Sequence, residues 1–483
     1  MKPLCFVLMP FGRRADENGR MTDFDTVYRQ IIAPSIIAAD MEPMRADQEQ
    51  MGGAIHKALF ERLLLSEYAV ADVTGANANV FYELGIRHAT RPRSTVILFA
   101  EGTALPFDVA ILRGVPYVTD SQGMPVEPEC HIALIAERLN EARRDTSDDS
   151  PLFQLVHGMP RISLDPERMD SFRGRMEELK NLQAQLGLAC RTGKRALQAL
   201  TQDPGLGNLA DIDPGFVVAL FISYGEVRAY DDMIEFYARM PRSLRRGRAV
   251  QERLSLAYMR LKMHDKAERV LLRLLEEAGP SSEAHGLLGN LYTDRWEALR
   301  NDQKRAFLAR GFLRRAIKEY VEGFMVDWRD PFPGNNAIML MEIQGPPFEQ
   351  RDELLPVVAF SAKRRAEIQK DFWGYGNLLQ MAVITRNKSV AEEAAEQALA
   401  TYNGEWQAET AAHNLRLLRE HRARQGEDVA WIGRIEMALV EAERRRAASL
   451  SHLVERSRPG TRKRAAKSRR RARQRAPARR FGA

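Results

Sequence analysis

Apolar positions in the first third of the chain fall into short runs separated by amphipathic stretches. Residues 4–9 form an apolar run ended by Pro10-Phe11-Gly12, which predicts a buried first strand. Behind a charged loop at 13–20, Phe24, Val27, Tyr28, Ile31 and Ile32 recur at helical spacing. Residues 41–44 predict a second strand, and Ile55, Leu59, Leu63 and Leu64 mark the apolar face of a second helix. A third strand at 68–71 delivers Asp72 to its carboxyl end, followed by a polar turn at 74–79 and a helix opening at Val80. Asn79 is the N-cap of this reading, since its side-chain oxygen can take an unpaired amide of the first turn. Strands at 95–100 and 115–119 and a helix at 131–143 complete the unit. Strands alternating with helices predict a parallel sheet covered on both faces by right-handed crossovers.

Beyond about residue 170 the period is helical almost throughout, and it repeats. Leu220, Leu254 and Leu288 recur at one constant interval, and Tyr224, Tyr258 and Tyr292 recur at the same one. That interval is the length of a tetratricopeptide helix pair, and Ala267 falls where the motif needs a small side chain. A weaker copy, out of phase, shows in Leu378, Ala382 and Ala391. Each pair buries its apolar face only against its neighbours, so an arched array with a concave surface for a protein partner is expected. Prolines and a glycine between Trp328 and Asn336 predict a loop that interrupts the array. After Trp406 a further helical pair, including Leu415, Leu417 and Leu418, runs toward Trp431. The domains read as 1–145, a linker at 146–169 carrying an apolar island at 151–155, helices over 170–450, and a basic disordered tail at 451–483.

The chain has 483 residues, enough for two or three full-sized domains. Its net charge of +7 conceals a division: residues 456–483 hold 13 Lys or Arg and no acid, which leaves residues 1–455 at −6. With only Phe481 as an aromatic, the tail predicts salt-sensitive, unspecific contact with nucleic acid, or else a solubilising extension. Three widely spaced cysteines, Cys5, Cys130 and Cys190, give neither a disulfide framework nor a zinc spacing and fit a cytoplasmic location. No metal site is expected. The apolar opening has no cleavage site, and no run approaches membrane-spanning length.

Chemistry concentrates at Asp72 and Glu83. Glu83 lies four residues beyond Asn79, on the same helical face, so both carboxylates can meet at one mouth beside a helix N-terminus. Ligands of open α/β sheets bind at the carboxyl ends of the strands. The alternative is scaffold: Asp72 as a turn former and Glu83 as a complement to the helix dipole.

The segments FVLMPFG, RAD, ADVTGANANVFYELGIRHA and LPFDV resemble the nucleoside 2-deoxyribosyltransferase-like group, which has a flavodoxin-like sheet and is related in plan to TIR domains. Residues 170–450, with FPGNNAIMLM and WQAETAAHNLRLLRE, resemble the TRAF-binding regulatory region of the apoptosis signal-regulating MAP kinase kinase kinases. The implied fold is an α/β domain followed by an all-α tetratricopeptide-like array, without the kinase signature set. The first resemblance implies Glu83 as the nucleophile on an anomeric carbon and Asp72 as its helper. It also implies a nucleotide or NAD pocket lined by Pro10, Phe11, Gly12, Arg45, Asp47, Thr74, Gly75, Asn79 and Tyr82, with no required cofactor. Cleaving an N-glycosidic bond builds positive charge on the sugar, which a carboxylate stabilises or captures. Asn77 and Asn79 stand where the transferase motif usually has another acid, which counts against base exchange more than against nucleotide binding. Pockets in that group often close across a subunit boundary, implying a homo-oligomer. Two functions follow: a stress- or defence-type effector in which an N-glycosidic bond hydrolase is controlled by the array, or a non-catalytic nucleotide-sensing scaffold that recruits protein partners.

Overall fold

The computed structural model describes residues 2–16, 19–45, 55–103, 114–162, 166–347, 349–402 and 407–457. Of the expected features, Asp47, the LPFDV segment, Trp406 and the tail beyond residue 457 lie outside them. The chain divides into two compact units, Met1–Val270 and Leu271–Ala483.

The first unit opens with β1 (Leu4–Leu8), a two-stranded ribbon of β2 (Arg13–Ala15) and β3 (Met21–Asp23), and a helix made of α1 (Phe24–Val27), a π-helical turn (Tyr28–Ile32) and α2 (Ala33–Ala38). Then come β4 (Glu42–Arg45), α3 (Ile55–Leu65), β5 (Tyr68–Asp72), α4 (Ala78–Thr90), β6 (Thr95–Ala100), β7 (Val115–Tyr117) and α5 (Pro128–Arg144). The five parallel strands take the order β4-β1-β5-β6-β7. Counted within the sheet this is 2-1-3-4-5, the doubly wound order of flavodoxin-like folds. The loop expected at 13–20 is partly ordered by the antiparallel ribbon, in which Arg13 pairs with Asp23 and Ala15 with Met21.

Alternation along the strands decides which side chains face which helices. Cys5, Val7, Val70, Val96 and Leu98 face Phe24, Val27, Ile31, Ile36, Ile135 and Leu139. The intervening Phe6, Leu8, Ala69, Ala71 and Ile97 face Leu59, Leu63, Val80 and Leu84 of α3 and α4. Each large apolar side chain buried this way contributes about 1.5–3 kcal/mol before entropy is counted. The second face needs one more device, because α3 ends inside the unit with unpaired carbonyls. Arg87 on α4, fully buried, donates to Leu63 O at 2.7 Å, Ser66 O at 2.8 Å and Glu67 O at 3.1 Å. Arg91 adds a bond of 2.9 Å to Leu64 O. Burial pulls the Arg87 guanidinium down to about 9.

The segment after α5 is tied to the sheet. Asp149 accepts from the amides of Ser94 and Thr95 at 2.6 and 3.0 Å, Ser150 Oγ donates to His88 O, and α6 (Pro151–Leu155) lies against α4. The first unit continues with α7 (Pro166–Thr192), α8 (Lys194–Gln202), α9 (Pro214–Glu226), α10 (Tyr230–Arg239), α11 (Arg242–Arg245) and α12 (Arg248–Arg260). Phe172 of α7 packs with Leu4 and Leu65 at the amino edge of the sheet, and Arg62 pairs with Asp213 at 2.8 Å.

The division between units falls within α13 (His264–Ala278). The second unit holds α14 (Ser282–Leu299), α15 (Ala306–Val326), α16 (Pro331–Gln344), α17 (Glu349–Ile368), α18 (Phe372–Ile384), α19 (Lys388–Ala400), α20 (Gln407–Arg424) and α21 (Ala430–Ser457). Helices α9, α12 and α14 open at Pro214, Arg248 and Ser282, one repeat length apart, so the repeated leucine is the seventh residue of each. Leu220, Leu254 and Leu288 are all buried. The loop expected at 328–336 ends early. Asp330 caps α16 by accepting from Phe332 N, and Pro331 opens the helix, where a missing N–H costs nothing. Among the described residues no helix is long and apolar enough to cross a membrane.

Burial raises the Asp149 carboxyl to about 6, against the Thr95 and Ser94 amides and the charge of Arg87, with Asp148 adding to the rise. A raised folded value means a contribution fully present below the unfolded value near 3.8 and lost as pH rises through about 6. Asp149→Asn keeps an acceptor for both amides without that loss. Its stability relative to the parent, read from urea midpoints, is expected to improve by about 2 kcal/mol between pH 4 and pH 7.5. A difference constant with pH would show that Asp149 does not titrate there.

Candidate functional site

The carboxyl edge of the sheet brings together several of the expected residues. Gly12 turns the chain after β1 with φ of +68°, a backbone setting that favours glycine. Its carbonyl accepts from Phe24 N at 3.0 Å, which seats α1 beside the strand end. From β4, Arg45 enters between two rings, 4.5 Å from the Phe11 centroid and 4.8 Å from that of Tyr28. Its Nη2 meets Asp25 Oδ1 at 2.5 Å, and only 4% of its side chain is exposed. Burial opposes ionisation of Asp25, but Arg45 and the Gly12 amide hold its carboxyl below the ordinary range. Such a stacked, paired guanidinium is a rigid feature of the edge. A phosphate reaching Arg45 would compete with Asp25.

Asp72 lies in the same edge, fully buried. Its Oδ1 accepts from Thr74 N at 3.0 Å and its Oδ2 from Tyr117 OH at 2.8 Å. Thr74 Oγ1 lies 3.0 Å from Tyr117 OH and accepts from Ala100 N at 2.8 Å. The carboxylate thus ties the end of β5 to β6 and β7 beneath the turn. Burial lifts Asp72 above the usual carboxylate range against the bonds from Thr74 and Tyr117, and burial with the adjacent Asp72 raises Tyr117 well above its own.

After Gly75, at φ of +72°, helix α4 starts at Ala78, two residues earlier than expected. Its cap is Asn77, not Asn79: Asn77 Oδ1 accepts from Asn79 N at 3.0 Å and Val80 N at 3.4 Å. Only Asn77 has the extended backbone a cap requires, with φ of −67° and ψ of 122°. Asn79 is an exposed first-turn residue, Glu83 is partly buried one turn further on, and Tyr82 is 59% exposed. Pro10 is buried, and Gly75 is exposed at the turn.

A second constellation, absent from the sequence reading, runs through the helical unit. Asn336 Oδ1 accepts from Gln380 Nε2 and from Asn414 Nδ2, both at 3.0 Å, and Asn414 also donates to Gln380 Oε1 at 3.2 Å. Asn335 donates to Asn377 O at 3.0 Å. Beyond them Arg422, 1% exposed, donates to Glu342 at 2.6 and 3.0 Å and to the carbonyls of Val383 and Ile384. Glu297 and Arg300 of α14 reach α20 through His413 at 2.9 Å and Glu420 at 3.0 Å. The Glu297 hydrogen bond holds His413 above the ordinary histidine value. Facing sides of α14, α16, α18 and α20 are therefore bonded to one another through polar side chains. Two signals were present: adjacent asparagines inside the apolar FPGNNAIMLM, and Gln380 and Asn414 standing one repeat length apart.

Two stability tests follow. Tyr117→Phe strands one Asp72 oxygen and is expected to cost about 1–3 kcal/mol in chemical denaturation, and a neutral result would remove Asp72 from its role as a tie. Arg422→Ala leaves Glu342 short of its main partner and should cost about 3 kcal/mol, whereas the pair Glu342→Leu with Arg422→Met should recover most of it. Equal losses in both variants would show that packing, not charge, matters there.

The profile of the MAP3K TRAFs-binding domain family matches residues 80–432, from the first turn of α4 to the opening of α21. No curated protein matches the chain. The match takes in well over half of the sequence, covers all of α14–α20 and includes β6 and β7 of the sheet, so the chain belongs to the MAP3K TRAFs-binding domain family.

Proposed function

We propose that the protein is a signalling scaffold that recruits protein partners through its helical array, with the sheet domain as a structural and ligand-sensing companion. The observation that carries this reading is the family match over residues 80–432, which spans the array. The family's name states binding to TRAFs, and for this chain we take from it binding to a protein partner. The closed polar interior supports the reading in one further way: it makes the array a stiff body able to present an outer surface with little ordering cost.

A second reading, N-glycosidic bond cleavage of a nucleotide or NAD, is favoured by the strand order and by the gathering of Pro10, Arg45 and Asp72 at one sheet edge. These support the kinship to the deoxyribosyltransferase and TIR groups. In that reading Glu83 is the acting carboxylate and Asp72 positions the turn that bears it, because Asp72 is sealed by Thr74 and Tyr117.

The two are separated on purified full-length protein. The scaffold reading expects a stoichiometric complex with a partner recovered by crosslinking from the source cells and then purified. It also expects no free base when the protein is incubated with NAD or a nucleotide panel, with Glu83→Gln behaving like the parent. Base release by the parent that Glu83→Gln abolishes at an unchanged melting temperature would establish the enzyme instead. Failure to form any stoichiometric complex would remove the scaffold.

A further inference from the structure

Helix α15 presents an exposed line that combines large apolar side chains with a row of cations. Phe307 is 85% exposed and Met325 66% exposed, and Leu308 beside Phe307 is 52% exposed. Phe307 and Met325 stand five full helical turns apart, so they share one line on the helix and are separated by about 27 Å. Arg314 and Lys318 lie within about 20° of that line and Arg310 about 60° from it, at about 100° per residue. All three are exposed, and none has an ion pair among the described residues. The Arg310 guanidinium covers the Phe307 ring at 4.6 Å. Of the acids of the helix, Glu319 is paired with His285 at 2.8 Å, and Glu322 stands about 60° from the line on the side opposite Arg310. Gly311, also on this face, leaves open space between the cations.

The outer face of α19 carries Glu392, Glu393 and Glu396, and residues 1–455 as a whole are net acidic. The three cations, each one helical turn from the next, therefore form a row with a large apolar side chain at each end. A polyphosphate would use the cations but gain nothing from an exposed phenylalanine, leucine and methionine. An acidic peptide with apolar residues at both ends uses every member of the face, since apolar anchors supply affinity and the charges supply register and approach rate.

We infer that the outer face of α15, Phe307-Arg310-Arg314-Lys318-Met325, is a docking rail for an acidic, apolar-ended segment of a partner protein. The inference rests on the scaffold reading and assigns its surface to the exposed line of α15, the facing sides of α14, α16, α18 and α20 being bonded to one another. Docking places partner carboxylates against Arg310, Arg314 and Lys318 and an apolar side chain over each of Phe307 and Met325.

The test uses the full-length chain and a fluorescein-labelled helical peptide of glutamate and alanine, followed by anisotropy. Its two leucines are set five helical turns apart, matching the separation of Phe307 and Met325. The parent is expected to bind it, and Arg314→Glu with Lys318→Glu to bind at least tenfold more weakly with an unchanged thermal melt. Phe307→Ser, and separately a peptide with serines in place of the leucines, should each lose about fivefold. The basic tail, present in every sample, cannot distinguish the two peptides. Undiminished binding by the charge-reversed chain, or equal binding of the serine peptide, would overturn the rail. So would a short DNA duplex that binds with the same dependence on Phe307, or parent self-association by sedimentation that the charge-reversed variant loses. Partner capture that survives all the rail variants would overturn the rail while leaving the scaffold reading standing.

Discussion

A guanidinium taken out of water is the constraint on which the helical unit rests. Arg422 is 1% exposed, and the cost of dehydrating its charge is met by Glu342 and by the last carbonyls of α18. Those partners come from α16 and α18, while Arg422 itself belongs to α20. One side chain thus fixes three successive inner helices in register. Hydrophobic burial alone would tolerate a slide of one helix along another, because leucine and alanine surfaces are not directional. Two parallel N–H···O bonds to one carboxylate would not.

The asparagine and glutamine row makes the same argument at another level of the same helices. Asn336 Oδ1 is shared by Gln380 and Asn414, and Asn414 also donates to Gln380, so these amides pair with one another rather than with water. The ion pairs of Glu297 and Arg300 with α20 then close the inner side across the whole set. A helical repeat with its interior bonded in this way is committed to one curvature. On their exposed sides α15 and α19 differ in charge although both are second helices of a pair.

Much of this organisation was legible. Strand and helix periods placed the five parallel strands within a residue or two, because all but β4 (Glu42–Arg45) are mostly apolar and each crossover helix has one apolar face. The repeat spacing was legible in its leucines and tyrosines, while the helix starts at 214, 248 and 282 came only with the structure; a leucine sits at the same depth in each pair. Boundaries set by single polar groups were less legible. Asn77 and Asn79 offer the same side chain, and only the backbone angle at 77 decides which one caps. Pro331 and Pro333 read as breakers because proline stops a helix from within, yet at its first turn it has no bond to lose. The polar interior escaped notice because its members lie far apart in the chain and each, taken alone, looks like a surface residue.

The sheet edge shows why a motif and a site are different things. A carboxylate at the end of a central strand is the arrangement that nucleotide-handling folds use, and the chain retains it at Asp72. Here β7, one strand beyond the neighbouring β6, ends in Tyr117, whose hydroxyl takes one carboxylate oxygen while the Thr74 amide takes the other. An aspartate engaged on both oxygens and shut from solvent spends its hydrogen-bonding capacity on the turn, and it holds the opening of α4 in place. Arg45 follows the same logic: two rings and Asp25 occupy the directions from which a phosphate would approach. At this edge the charged and polar side chains are turned toward one another. What those bonds hold firm is the start of α4, where the family match itself begins.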